Sequence, residues 1–166
     1  GVKTGISILY NNPAEVGADR IVNSVAAYEK YGGPLIIVDF GTAITFDVVS
    51  RNGEYLGGAI SPGVQLSLEA LFENAAKLPR VELTEPRHVI GKSTIESVHS
   101  GTIHGFASLI DGMVAKIQAE LDQKAQVIAT GGTVGLIVSL SNSIDIVDPF
   151  LTLEGLRIIH QRNQDG

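Results

Sequence analysis

The chain has 166 residues, of which 44% are hydrophobic and 18% charged, and its net charge at pH 7 is −6. This composition predicts a folded chain of one domain or two small lobes, not a disordered one. The acidic balance argues against nucleic-acid binding, and the absence of cysteine excludes disulfides, thiolate metal sites and cysteine nucleophiles.

Contact with a membrane is not expected, because no run of about 18 apolar residues occurs. The first residues do not read as a secretory signal peptide, so we expect a cytoplasmic protein. The four histidines lack the spacing of a His-Glu-x-x-His zinc motif.

Turn signals divide the first half of the chain into short segments. After Asn11-Asn12-Pro13, apolar residues at helical spacing predict a helix that ends near Lys30, before Gly32-Gly33-Pro34. Three strands are predicted next, joined by turns at Gly41 and Asn52-Gly53, over residues 35–38, 44–49 and 54–60.

Helices and strands alternate in the second half. The predicted elements are a helix over 64–72, a loop with a short strand over 77–92, a helix over 94–121, a strand over 126–129, a helix ending near 140, a strand over 144–147, a helix over 150–160 and a polar tail over 161–166. An antiparallel meander followed by this alternation predicts an α/β fold with a mixed sheet and helices on its faces, which is the order of a ribonuclease-H-like half.

The segment Gly17-Ala18-Asp19-Arg20 opens the first predicted helix. A carboxylate beside a guanidinium here could accept a proton and bind an anionic group of a substrate. The alternative is structural, because Asp in a first helical turn suits the helix dipole and Arg is an ordinary surface residue. From these four residues alone the structural interpretation is favoured.

A second candidate site lies where the first two strands meet. Asp39 ends an apolar strand, where an ionised side chain is costly without a partner or a cation. Gly41 lets the backbone approach a phosphate, and the Thr42 hydroxyl can donate to one. The alternative is that Asp39 and Thr42 bond the amides of the turn. The functional interpretation is favoured, because the rest of the strand pair is apolar.

Two further glycine-containing segments are ambiguous. The run from Gly57 to Gly63 fits either close approach of a ligand or neighbouring chain, or a bulge and a turn. The run Gly91-Lys92-Ser93-Thr94 is not a P-loop, since Pro86 stands where the motif needs glycine. Ser93 and Glu96 instead fit a capping box, which leaves Lys92 and Thr94 free to meet a ligand.

The last candidate is Thr130-Gly131-Gly132, between a buried strand and a helix. Glycines at the carboxyl end of a strand suit nucleoside or phosphate binding, although a packing turn is the more frequent cause. Together the five segments supply carboxylates, an arginine, hydroxyls and glycine turns. Phosphoryl transfer requires such a set: positioning, electrostatics and one base.

In their order and spacing, these motifs resemble the type III pantothenate kinase family from Tyr10 to about Gly132. The resemblance implies a ribonuclease-H-like fold of the actin-like ATPase superfamily. It implies ATP-dependent phosphorylation of pantothenate to 4'-phosphopantothenate, the first step of coenzyme A biosynthesis. It also implies a remainder of an N-terminal lobe over 1–34, a C-terminal lobe over 35–150, and a C-terminal helix and tail over 151–166.

The resemblance assigns the substrate positions. Asp19 matches the general base that takes the proton of the pantothenate hydroxyl. Arg20 matches the residue on the carboxylate side of that ligand, and Thr94 a contact supplied by the neighbouring subunit of a homodimer. The remaining substrate positions are Tyr10, Gly17 and Ala18.

The resemblance also assigns the ATP side. Asp39 matches the position that holds a monovalent cation, potassium or ammonium, and magnesium accompanies the nucleotide. The matching ATP positions are Gly41, Thr42, Thr130, Gly131 and Gly132.

Family members begin with a strand carrying Asp-x-Gly-Asn-Thr, which binds ATP and magnesium, and no such motif occurs in this sequence. We therefore expect the chain to correspond to the C-terminal two-thirds of such an enzyme. A catalytically silent relative, acting as a binding or regulatory protein on the same fold, is the alternative. Another small-molecule kinase is less favoured, because Gly17 to Arg20 and Thr94 match pantothenate positions.

Overall fold

The computed structural model describes residues 2–75 and 78–164. Its centre is one mixed sheet of six strands in the order β1-β4-β3-β2-β5-β6. The strands are β1 (Ser7–Ile8), β2 (Leu35–Phe40), β3 (Ala43–Val49), β4 (Glu54–Pro62), β5 (Gln126–Thr130) and β6 (Ile146–Val147). The predicted α/β class with a mixed sheet is confirmed.

Five α-helices and two 3-10 turns occur among the described residues. The helices are α1 (Ala18–Tyr31), α2 (Val64–Asn74), α3 (Thr94–Glu120), α4 (Val134–Ile137) and α5 (Leu151–Gln164), and the 3-10 turns are Pro13–Glu15 and Val138–Leu140. As predicted, α1 stops at the glycine pair, where Gly32 has a φ of 73° and donates to the Tyr28 carbonyl.

The strand pairing follows the predicted meander. β2, β3 and β4 pair antiparallel in chain order, β1 joins β4 in parallel, and β5 and β6 extend the sheet in parallel beyond β2. Val48 faces Gly57 while Val49 faces Tyr55, so Leu56 forms a β-bulge. The bulge agrees with the structural interpretation of this glycine-rich run, and its contact with a ligand stays a prediction.

Side chains along each strand alternate between the two faces of the sheet. On one face, Leu35 and Ile37 pack with apolar residues of α1 and α5. On the other face, Ile36 and Val38 pack with residues of α3 and α4. The face covered by α1 carries the candidate site.

The segment between α2 and α3 is irregular, as predicted, but the short strand expected there does not form in residues 78–92. Pro79 and Pro86 interrupt this segment, and proline lacks the backbone N–H that a strand ladder requires. Residue 77 of the predicted loop lies outside the described residues.

The expectation of a polar tail from Gln161 is wrong for the described residues, because α5 continues to Gln164. Arg162 fixes this last turn by donating to the Thr4 carbonyl at 2.6 Å and to Glu29 at 2.7 Å. These partners are distant in the sequence, so local polarity suggested a tail where tertiary contacts hold a helix. Residues 165 and 166 lie outside the described residues.

The expected boundaries after residues 34 and 150 fall inside one packed unit. β1 pairs with β4, and α1 packs against β3 and α5. Lys30 of α1 also forms an ion pair with Asp148 at 2.7 Å. The boundaries therefore do not mark breaks in packing within this chain, and the assignment of 1–34 to a separate lobe stays a prediction.

Candidate active site

The first turn of α1 holds the exposed carboxylate of Asp19. Gly17 is the N-cap, and a Cβ added to it would lie 2.7 Å from Asp19 Oδ1. The same oxygen accepts the Arg20 backbone N–H at 2.9 Å. Glycine at the cap thus leaves space for the carboxylate, which stays exposed to solvent and accessible to a substrate. Ala18, also exposed, begins the helix.

Arg20 points in the other direction and is buried, with 7% of its side chain exposed. Its Nε donates to Asp47 Oδ1 at 2.7 Å. The interpretation of Arg20 as an ordinary surface residue is therefore wrong. A guanidinium is costly to remove from water without an opposite charge, and Asp47 supplies that charge.

Asp47 lies in the middle of β3 and is fully buried. Besides Arg20, its Oδ1 accepts the Tyr55 hydroxyl at 2.8 Å, and its Oδ2 accepts the Thr45 hydroxyl at 2.9 Å. Burial raises the pKa of the Asp47 carboxyl, while Arg20 and the two hydroxyls act against that rise. Burial and the neighbouring Asp47 raise the pKa of Tyr55, so its hydroxyl remains a donor.

One part of the Arg20 guanidinium has no partner. Its Nη2 is buried and makes no hydrogen bond to the part of the chain that the structure describes. A Cβ added to Gly58 would lie 3.1 Å from this nitrogen. A buried donor without a partner is costly and rare in folded proteins, which makes Nη2 a candidate contact for an anionic ligand.

Tyr10 lies beside this group. Its ring centroid is 6.3 Å from that of Tyr55, and the Arg20 guanidinium lies 5.8 Å from the Tyr55 centroid. The Tyr10 ring also approaches Gly57, where an added Cβ would be 3.4 Å away. The structure thus brings Tyr10, Gly17, Ala18, Asp19 and Arg20 to one region at the start of α1.

Asp39 lies near the end of β2 on the same sheet face. Its Oδ2 accepts a hydrogen bond from Asn23 Nδ2 at 2.8 Å, and Asn23 Oδ1 accepts one from the Thr152 hydroxyl at 2.7 Å. Burial raises the pKa of Asp39, the Asn23 bond lowers it, and the nearby Asp19 charge raises it further. The side chain of Asp39 is thus held by a helix rather than by the turn amides of the alternative interpretation.

The glycine turn after β5 contacts Asp39. Thr130 is buried and faces Asp39 in the strand register. Gly131 has a φ of 102°, and its added Cβ would lie 2.6 Å from Asp39 Oδ1. An L side chain is therefore disfavoured at Gly131 for two reasons, the backbone conformation and the lack of space. Gly132 has open space around it.

The Asp39 carboxylate is the candidate cation-binding group of this region. A carboxylate oxygen is a donor that a hard cation such as potassium accepts. Thr130 supplies a hydroxyl next to Asp39 in the register. Residues 2–75 and 78–164 contain no group of three or more His, Asp or Glu side chains placed to hold a metal ion.

Gly41 and Thr42 form the exposed turn between β2 and β3. The Gly41 N–H donates to the Ala43 carbonyl, and the Thr42 carbonyl accepts from Gly63 at 2.9 Å. A Cβ added to Gly63 would collide with that carbonyl, so this glycine permits the tight approach of β4. The turn follows Asp39 directly and is open to solvent.

Thr94 is not brought to this region within one chain. It begins α3, on the opposite side of the sheet, and lines an open cavity of about 470 Å³ between α2 and α3. The predicted cap is confirmed, since Ser93 accepts the Glu96 N–H at 3.2 Å. Glu96 in turn accepts the Lys92 N–H at 2.7 Å. The contact of Thr94 with a neighbouring subunit stays a prediction.

Sequence reasoning missed Asn23, Thr45, Asp47 and Tyr55. Asn23 follows Asp19 by four residues and so shares its helix face, a signal that was present in the sequence. Asp47 interrupts an apolar strand in the same way as Asp39 and carries the same implication. No sequence signal connects Thr152 with Asn23, because 129 positions separate them.

None of the helices in the described residues is long and apolar enough to cross a lipid bilayer. Two solved structures share the fold. A conserved Baf family protein from Campylobacter jejuni matches with a TM-score of 0.66 and 24% identity, covering 97% of this chain and 70% of that one. The ethanolamine utilization protein EutJ from Carboxydothermus hydrogenoformans matches with a TM-score of 0.50 and 16% identity, covering 83% and 54%. These likenesses confirm the predicted ribonuclease-H-like, actin-like ATPase fold class.

Curated relatives are much closer in sequence. Type III pantothenate kinase from Myxococcus xanthus is 58% identical over 163 residues, and that from Moorella thermoacetica is 59% identical over 163 residues. Each match covers 98% of this chain and 64% of the relative, so the chain spans about two-thirds of their length. The family model described as type III pantothenate kinase matches residues 1–116. This chain therefore belongs to the type III pantothenate kinase family.

Proposed function

We propose that this chain carries the pantothenate site and part of the nucleotide site of an ATP-dependent pantothenate kinase. The reaction transfers the γ-phosphoryl group of ATP to the primary hydroxyl of pantothenate and gives 4'-phosphopantothenate. The observation that carries the proposal is that the first turn of α1 holds both an exposed carboxylate, Asp19, and a buried arginine, Arg20, whose Nη2 has no partner in the described chain.

Pantothenate has an anionic carboxylate at one end and a primary hydroxyl at the other. Arg20 Nη2 supplies a charge-assisted donor for the carboxylate, in surroundings of low water content where such a bond is strong. Tyr10 provides an aromatic surface beside it. Gly17 and Ala18 leave the substrate room at the start of α1.

Asp19 is the general base of the proposal. One of its oxygens takes the hydroxyl proton while the substrate oxygen attacks the γ-phosphorus, and the bond to the β–γ bridging oxygen breaks as ADP leaves with the electron pair. Asp47 is unsuited to this task, because Arg20, Tyr55 and Thr45 occupy its oxygens.

Asp39, with Thr130 beside it, would hold the monovalent cation, potassium or ammonium. When bound, such a cation supplies positive charge near the transferred phosphoryl group. Gly131 and Gly132 leave the backbone open toward the nucleotide, and Thr42, next to Gly41 in the exposed turn, offers a hydroxyl donor. Magnesium is expected to arrive with ATP.

The neighbouring subunit of a homodimer completes the proposed substrate site. Thr94 lies on the α3 side of the sheet and cannot reach Asp19 within one chain. A second copy is therefore required if Thr94 is to contact pantothenate, and cytoplasmic location fits a soluble substrate and ATP.

The proposal is tested with the complete gene product that carries this chain, supplied with ATP, potassium, magnesium and pantothenate. We expect 4'-phosphopantothenate by mass spectrometry, and a fall in kcat of about 10²–10⁴-fold for Asp19→Asn with pantothenate affinity retained. Glu120→Gln, at the far end of α3, is the matched control and keeps wild-type turnover. Wild-type activity in Asp19→Asn removes Asp19 as the base, whereas pantothenate binding without turnover by the wild type supports the catalytically silent alternative.

A further inference from the structure

We propose that Asp47 is a positioning residue for Arg20, and that Thr45 keeps the Arg20 Nη2 available to a ligand carboxylate. Thr45 does so by fixing the Asp47 carboxylate in the orientation in which it holds the guanidinium through Nε alone. The inference rests on the proposed function, because it takes the carboxylate of pantothenate as the ligand group.

Arg20 and Asp47 are joined by one hydrogen bond rather than by two. Arginine and carboxylate commonly form two parallel hydrogen bonds, which satisfy both partners. Here only Nε reaches Asp47, at 2.7 Å, and Nη2 stays buried without a partner in the described chain. If the ion pair only stabilised the fold, we would expect the second hydrogen bond to form, since an unsatisfied buried donor is costly.

The hydroxyl of Thr45 fixes the orientation of the Asp47 carboxylate. Thr45 and Asp47 are two residues apart on β3, so their side chains share one face of the sheet. The Thr45 hydroxyl donates to Asp47 Oδ2 at 2.9 Å. Tyr55 donates to the other oxygen at 2.8 Å, so the carboxylate is held from three directions.

The neighbouring strand packs closely against the guanidinium. Gly58 faces Asp47 in the register of β3 and β4. A Cβ at Gly58 would collide with the Phe46 carbonyl and lie 3.1 Å from Arg20 Nη2, so glycine is required for β4 to pass this closely. Asp47 thus holds Arg20 through Nε, and Nη2 stays buried without a partner in the described chain.

Removal of the Thr45 hydroxyl should allow a second hydrogen bond, from Arg20 Nη2 to Asp47. In Thr45→Val the Asp47 carboxylate is no longer fixed by that hydroxyl and can turn Oδ2 toward Nη2, and valine keeps both the shape of threonine and its preference for strands. Arg20 would then be satisfied within the protein and lose its advantage for an anionic ligand. A purely structural role for Thr45 predicts the reverse, a less stable protein with no ligand-specific change.

The test is a calorimetric titration of the complete gene product with pantothenate and with pantothenol, which replaces the carboxylate by a hydroxyl. We expect Thr45→Val to weaken pantothenate binding about tenfold, with pantothenol binding unchanged and the free energy of unfolding not lowered. Thr45→Ser keeps the hydroxyl and should bind both ligands like the wild type.

Equal pantothenate affinity in Thr45→Val and wild type overturns the inference and leaves the proposed function standing. A parallel loss of both ligands, or a loss of stability without a ligand-specific effect, also overturns it. A wild type that binds neither ligand, or does not prefer pantothenate over pantothenol, overturns the proposed function and the inference together.

Discussion

Two carboxylates on the α1 face of the sheet have different partners. Asp47 is surrounded by Arg20, Tyr55 and Thr45 and is committed to them. Asp39 has its second oxygen bonded to Asn23, while its first lies against the backbone of Gly131. Asp47 therefore holds a cation of the protein itself, Arg20, whereas we propose that Asp39 holds a cation from solution.

Sequence reasoning reached Asp39 but not Asp47, although both interrupt apolar strands. The two residues differ in their position along the strand. Asp39 lies at the end of its strand, close to Gly41 and Thr42, and these turn residues indicated a binding site. Asp47 lies between the apolar Phe46 and Val48, which gave no such indication. Burial of Arg20 was also missed, because an arginine in the first turn of a helix gives no sign of the carboxylate beneath it.

Gly131 gives a test at the scale of one residue. We expect Gly131→Ala to lower the free energy of unfolding by about 1–3 kcal/mol, because its φ of 102° is strained for alanine and the new methyl group meets Asp39. Urea unfolding followed by circular dichroism measures the change.

Gly132→Ala is the matched control, since an added Cβ there meets no heavy atom within 4 Å. Its free energy of unfolding should stay close to that of the wild type. Equal stability of the two variants would contradict the described contact between Gly131 and Asp39.

At the scale of elements, α5 connects parts of the site that the sequence places far apart. The family model ends at residue 116, and α5 lies beyond it. This helix nevertheless packs against α1, and Thr152 in its first turn fixes Asn23, which donates to Asp39. Helical periodicity predicted α5 but could not predict this contact, because periodicity identifies an apolar face and not its partner.

A second link between elements joins α3 to the loop before β6. Asp111 accepts hydrogen bonds from the hydroxyls of Ser141 and Ser143 and from the Asn142 backbone N–H. Burial opposes ionisation, but these bonds prevail and lower the pKa of Asp111. The folded protein therefore binds this proton less tightly than the unfolded chain does.

The consequence is a stability that depends on pH. A lowered folded-state pKa stabilises above the ordinary aspartate pKa of about 3.9, and the contribution is lost as pH falls through the folded value. We expect Asp111→Asn to cost about 1–3 kcal/mol at pH 7, and the difference from wild type to shrink below about pH 4.

Urea unfolding at pH 7 and at acidic pH measures this difference. Asp122→Asn removes an exposed carboxylate after α3 and should match the wild type at both pH values. A cost of Asp111→Asn that stays constant across this range would contradict the assignment of an ionised acceptor.

At the scale of the whole molecule, the sheet separates two surfaces. The α1 face carries Asp19, Arg20 and Asp39, and the α3 face carries Thr94. The sequence predicted the sheet and most helices well, because hydrophobic periodicity and turn residues are local signals. It could not predict which face each element covers, since that depends on packing between distant segments.

In the proposed function, pantothenate binds at the start of α1 with its carboxylate on Arg20. A crystal structure of the complete gene product with pantothenate bound tests it most directly. We expect the ligand carboxylate within hydrogen-bond distance of Arg20 Nη2 and the primary hydroxyl within reach of Asp19. Pantothenate bound elsewhere, with Arg20 Nη2 still lacking a partner, would contradict it.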